Sequence, residues 1–223
     1  RVIANMGGIA NEVTLQMQQK IKAASALFND AVINGDKATV TNSFDGLEKA
    51  LTGSSTEFTP AAPIDLSDSA KLDANYKVFL DQIDEFLALL DGAPSALLCN
   101  TKLFTKIKAV ARRATSYTET KDRFGRQIVG YDGIPIIDLG AKAGTNDPVS
   151  AIKSSDGTTS LYAVRLGIDG FHAVSMAGVA PVRTWLPDFK TAGAVKTGEV
   201  EMVAAVALKA TKAAAVMRNI KVQ

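Results

Sequence analysis

Cysteine and histidine are nearly missing from this sequence of 223 residues: one of each occurs, Cys99 and His172. A single cysteine excludes an internal disulfide, and its place in Ser95-Ala96-Leu97-Leu98-Cys99 reads as a small buried hydrophobe. A single histidine weakens any hydrolytic triad, whose base is usually histidine. Alternation in Gly170-Phe171-His172-Ala173-Val174 sets His172 opposite Phe171 and Ala173, as a surface or partly packed strand residue. One His and one Cys build no zinc tetrahedron without carboxylates, and no EF-hand spacing of acids around glycine occurs. No Gly-Lys-Ser/Thr ends a glycine-rich loop such as Leu51-Thr52-Gly53-Ser54-Ser55, and no Gly-x-Gly-x-x-Gly follows a strand, so no nucleotide or other cofactor site is expected. Apolar runs stop short of the roughly 20 residues needed to span a bilayer, which predicts a soluble chain without a membrane anchor. The first residue is Arg1 rather than methionine, which predicts a processed or partial chain.

What is present is ordinary globular composition, 47% hydrophobic and 22% charged, with a net charge of only +2. The charge is unevenly placed. Residues 29–91 carry twelve acids against four bases, and residues 102–126 carry eight bases against two acids. Such a split favours head-to-tail association of like subunits.

Ile9, Val13, Met17, Ile21, Ala24, Phe28 and Ala31 recur at steps of four and three, predicting a long helix closed by a left-handed cap at Asn34-Gly35. Residues 39–63, rich in Thr, Ser, Gly and Pro around the short amphipathic piece 44–51, read as a linker. A second helix follows Ser67 or Asp68 as N-cap, with Leu72, Tyr76, Phe79, Ile83, Phe86 and Leu90 in register and Gly92 and Pro94 closing it. A strand at 95–99 leads into a third helix with Leu103, Ile107, Val110 and Ala114 on one side and Lys102, Lys106, Lys108, Arg112 and Arg113 largely elsewhere. Residues 140–157 read as an exposed loop. Strands are expected at 161–166 and 171–176 around a tight turn at 167–170. The tail 199–222 suits helix by its alanine content and strand by its alternation.

The stretch GRQIVGYDGIPIID (125–138) places Gly130 and Gly133 around Tyr131 and Asp132 between two strand-like runs. It is either a reactive hairpin or a corner of a scaffold, and the chain supplies neither residue with a chemical partner. Among the acids, Asp65 with Asp68, and Asp81 with Asp84 and Glu85, are densest. Asp81 and Glu85 lie four apart on the polar side of the second helix, which reads as a solvated face. The basic helix suits a subunit contact, or a surface facing packaged nucleic acid, better than a sequence-reading site, because no row of aromatics accompanies it.

Several stretches together resemble the major capsid proteins of tailed bacteriophages, whose fold is shared by encapsulin shells. They are Ala26 to Asp36, Phe44-Asp45-Gly46-Leu47, Ala96 to Phe104, Gly130 to Ile137 and Glu199 to Val222, in order along nearly the whole chain. The resemblance implies an α+β phage capsid fold in two interleaved parts. A peripheral part would comprise 1–65, with a spine helix at about 9–34, completed by long strands within 178–211. A mixed α/β axial part would comprise 66–177, completed by 212–223, with the loop 140–157 near the axis of a ring. It also implies strands at 199–210 and 213–222. The N-terminal arm and extended two-stranded loop of that family are not visible ahead of the long helix, and no crosslinking residue is carried over.

The function so implied is a structural shell protein without catalytic, cofactor or metal residues. It would self-assemble as pentamers and hexamers into an icosahedral capsid around double-stranded DNA, in the virion of a bacteriophage or prophage put together in the bacterial cytoplasm. Its partners would be itself, the packaged DNA without sequence specificity, and scaffolding and portal proteins. Subunit contacts are expected to pair Lys106, Arg112 and Arg113 with Asp81 or Glu85 of a neighbour. An encapsulin-like shell around enzyme cargo is the alternative, and a small α/β enzyme using Tyr131 and Asp132 a more distant one.

Overall fold

The computed structural model describes residues 12–114, 118–121, 127–187 and 197–223. Ile9 and the rest of 1–11, and 188–196, lie outside them, as do Tyr117 and Phe124.

The chain begins with α1 (Glu12–Asn34) and α2 (Leu47–Leu51), then two short strands, β1 (Glu57–Phe58) and β2 (Ile64–Asp65). The next helix, α3 (Ser69–Leu87), starts where Asp68 accepts a hydrogen bond from the Lys71 backbone N–H at 2.8 Å, satisfying one of the donors that every helix start leaves open. The strand β3 (Ala96–Cys99) and the helix α4 (Thr101–Ala114) follow, with Asn100 capping α4 through the Leu103 N–H. The remaining elements are β4 (Thr118–Lys121), β5 (Gln127–Tyr131), β6 (Ile134–Asp138), β7 (Thr158–Val164), β8 (Phe171–Ser175), β9 (Val182–Trp185), β10 (Glu199–Met202), β11 (Ala204–Leu208) and β12 (Ala214–Lys221).

The central sheet runs β1-β12-β7-β3-β6-β5-β4, with β2 also paired to β12. Successive residues of its strands serve opposite faces. Leu161, Ala163, Ala215 and Met217 look toward Phe79, Ile83 and Phe86 of α3 and Leu103, Ile107 and Val110 of α4. Tyr162, Val164, Ala214 and Val216 look the other way, onto Ile33, Leu47, Leu51, Val149 and Phe171. Because both faces are covered, β12 has an unbroken buried run over 214–217 instead of alternation. The ambiguous tail is therefore strand: β10, β11 and β12 account for most of 199–221.

Three readings of the sequence need correction. Residues 39–63 are not a free linker, since Leu47 and Leu51 are core residues and β1 and β2 pair with β12; their polar neighbours hide two apolar anchors. The stretch 140–157 is not wholly exposed, for Val149 and Ser150 are buried and the Asn34 and Asn100 side chains donate to their carbonyls. The two strands expected around the tight turn at 167–170 are present, each with a different partner. β7 joins the central sheet, while β8 pairs with β11 in a separate ribbon, Phe171 opposite Leu208, across the division expected at 177. Gly35 is not a left-handed cap. It is small because the chain crosses itself there: a Cβ on Gly35 would meet the carbonyl oxygens of Ala31 and Phe44 at 2.4 Å, and one on Gly46 would meet Ile33 O at 2.6 Å.

A second two-stranded ribbon pairs β9 with β10, Arg183 opposite Glu201. The two ribbons contain all four strands that lie outside the central sheet among the described residues.

Candidate subunit-contact surfaces

At the Tyr131-Asp132 hairpin, both Asp132 (φ 48°) and Gly133 (φ 76°) take left-handed backbone, the combination that closes a two-residue hairpin with the right twist. Gly130 sits in β5 opposite Pro135, outside the turn itself, and has no left-handed backbone. The Tyr131 hydroxyl donates to Asp84 Oδ1 of α3 at 2.7 Å. Burial and then the Asp84 carboxylate push the phenol above its ordinary value, which keeps the proton on and makes Tyr131 a tie between hairpin and helix. His172 lies on β8 in the outer ribbon, half-buried, with an Nδ1 that has no hydrogen-bond partner. Burial pushes the Cys99 thiol up to about 12, so it is a packed, inert group. Among the described residues, no three His, Cys, Asp or Glu side chains converge on a metal-sized site, and no helix is long and apolar enough to cross a membrane.

The expected contact residues divide into tied and free ones. Lys106 donates to the Ser67 carbonyl, and Arg113 pairs with Asp73 and donates to Ser69 Oγ at 2.9 Å, so both bind α4 to the start of α3 within one chain. Arg112 is exposed on the last turn of α4. Asp81 and Glu85 are exposed on α3. The sequence could not separate Arg112 from Arg113, because adjacent helical residues differ in direction by about 100° and only packing reveals which one meets α3.

Exposed apolar surface concentrates where the sequence was read only as strand. Val174, Met176, Val182, Trp185 and Leu186 stand open on the two ribbons and their ends, with Ile168 at the 167–170 turn. The guanidinium of Arg183 lies 5.5 Å from the Trp185 ring centre and pairs with Glu201 at 2.8 Å. A groove of about 440 Å³ runs between α1, the 39–44 turn and the ribbon strands, lined by Leu27, Phe28, Val40, Phe44, Val200 and Met202. The available signal was the alternation of Val174 and Met176 with small residues, which a strand covered on both faces does not show.

A charged cluster that no sequence motif marks surrounds Arg218. Arg218 of β12, with its side chain only 15% exposed, reaches Glu48 Oε1 at 2.6 Å, the Glu57 carboxylate, and Thr52 Oγ1 at 2.9 Å. Glu57 also accepts from the Gly53 N–H at 2.6 Å, and the Tyr162 hydroxyl donates to Glu48. Burial and Glu48 hold the Tyr162 phenol above its ordinary value. The cluster follows from a bulge in β12: pairing with β7 slips between Met217 and Ile220, and Asn219 takes left-handed backbone (φ 59°) with its amide on Pro60 O at 3.3 Å.

A central sheet covered by α3 and α4 on one face and by α2 and the end of α1 on the other, with outlying two-stranded ribbons, is a mixed α+β fold that matches those of an encapsulin and of a phage-like capsid protein. The encapsulin of the holo-SrpI complex from Synechococcus elongatus PCC 7942 superimposes with a TM-score of 0.69 at 16% identity, covering 99% of this chain and 70% of that one. The capsid protein of a native GTA particle gives 0.53 at 14% identity, covering 99% and 69%. No protein-family model and no curated protein sequence matches the chain.

Proposed function

We propose that the chain is the structural subunit of a closed protein shell, without a catalytic role. The observation that carries this reading is the fold, which follows two shell proteins over 99% of the chain. In the first form of the reading it assembles as pentamers and hexamers into an icosahedral capsid around double-stranded DNA, as the virion protein of a bacteriophage or prophage. Assembly takes place in the bacterial cytoplasm with scaffolding and portal proteins as partners. In the second form the shell is a nanocompartment around enzyme cargo, a reading that the encapsulin match supports equally well. The division into a peripheral part (1–65 with 178–211) and an axial part (66–177 with 212–223) stands within this proposal, and the pairing of β8 with β11 supports moving 171–175 to the peripheral side.

Negative-stain microscopy of the full-length product should show uniform closed particles, and only monomers would sink both forms. Nuclease-protected DNA inside the particles selects the first form; a defined protein without nucleic acid selects the second.

Within the shell, Arg112 meets Asp81 or Glu85 of a neighbour, while Lys106 and Arg113 add positive potential from their tied positions. Arg112→Glu should reduce assembly at low salt, and Asp81→Lys with Glu85→Lys should restore it. Assembly of Arg112→Glu with the salt dependence of the wild type would remove this contact.

A further inference from the structure

We propose that Arg218, Glu48 and Glu57 form an acid-releasable latch that fixes the α2–β1 segment, and with it the end of α1, against the central sheet. The segment 44–58 is joined to α1 at the Gly46 N–H to Gly35 O hydrogen bond of 2.8 Å, and its apolar anchors are Leu47 and Leu51. Its polar anchor is the one guanidinium, which bridges the first turn of α2 to β1 and is itself aimed by the Asn219 bulge.

Every oxygen of the two carboxylates has a donor: Arg218 and Tyr162 for Glu48, Arg218 and Gly53 N–H for Glu57. Protonating Glu57 removes an acceptor and leaves a mostly buried guanidinium short of one counter-charge, a state relieved by lifting the segment to admit water. The groups facing the cluster are Tyr162 from β7, Lys153 from the preceding loop, Thr52 and the two glutamates from the segment, and Arg218 from β12. Lys49 points away, to Asp36 and Asp45.

Burial draws the Glu57 carboxyl upward, but the Gly53 N–H and Arg218 outweigh it and the net displacement is downward. The folded value lies below the unfolded one, so the stabilisation is complete above the unfolded carboxyl range and is lost as pH falls through the folded value.

Hydrogen exchange, corrected for its intrinsic pH dependence, reads the latch in the full chain. Between pH 6 and 3.5, protection across 52–57 should fall about 10- to 100-fold, the equivalent of one charge-assisted hydrogen bond, while Leu161 and Ala163 of β7 keep theirs. Glu57→Gln should start with the lowered protection at pH 6 and change little below it. If 52–57 and β7 lose protection together, or if wild type and Glu57→Gln give parallel pH profiles, the latch is wrong. Should the variant not fold, the wild-type comparison of the two segments decides alone. Neither outcome depends on whether the chain forms shells.

Discussion

Asn219 illustrates how one residue's backbone can organise distant ones. Its left-handed conformation creates the bulge that turns Arg218 toward Glu48 and Glu57. Asn tolerates this region better than other residues with a Cβ, and its amide is bonded to Pro60 O. Replacement by Ala keeps the strain and loses the bond, and is expected to cost about 1–3 kcal/mol in urea unfolding; Gly, which relieves the strain, should cost less. At Cys99, burial and the raised thiol value lead to a chemical expectation. Thiol reagents should leave native protein unmodified at pH 8 and react stoichiometrically once it is denatured, and rapid native labelling would contradict the packing.

Among the elements, α3 supplies the largest part of the helix-covered core, with Phe79 and Phe86 fully buried. Phe79→Ala should cost about 3–5 kcal/mol, and Asp68→Ala, which removes only the N-cap, about 1 kcal/mol, both read from denaturant midpoints at constant slope. The contrast reflects how legible this element was: its cap, its apolar stripe and its closing Gly92 all lie within 25 residues. The α4 stripe and the Asp132-Gly133 turn were local in the same sense. What stayed hidden depended on long-range pairing. Leu47 and Leu51 look like incidental apolar residues in a polar stretch until Val216 and Tyr162 arrive against them. Arg218 reads as one more cation in an alanine-rich tail, since its partners Glu48 and Glu57 are 170 and 161 residues away. For the candidate contacts, the helices carrying the charges were readable, while the difference between a tied Arg113 and an exposed Arg112 was not.

On the scale of the whole molecule, Trp185 offers a direct report of assembly because it is the sole tryptophan and is 47% exposed on an outer ribbon. If assembly occurs and covers that ribbon, its emission should shift to the blue as particles form; emission unchanged by assembly would place the ribbons outside the contacts. The same architecture governs how long the chain takes to complete its sheet. β1 is at residues 57–58, and its partner β12 does not begin until 214. At about 5–20 residues per second, a ribosome needs roughly 8–30 s to make the intervening chain. For all of that time Leu47, Leu51 and Phe58 lack the strand they pack against, and apolar surface left open in this way during synthesis is the kind that aggregates or that chaperones cover.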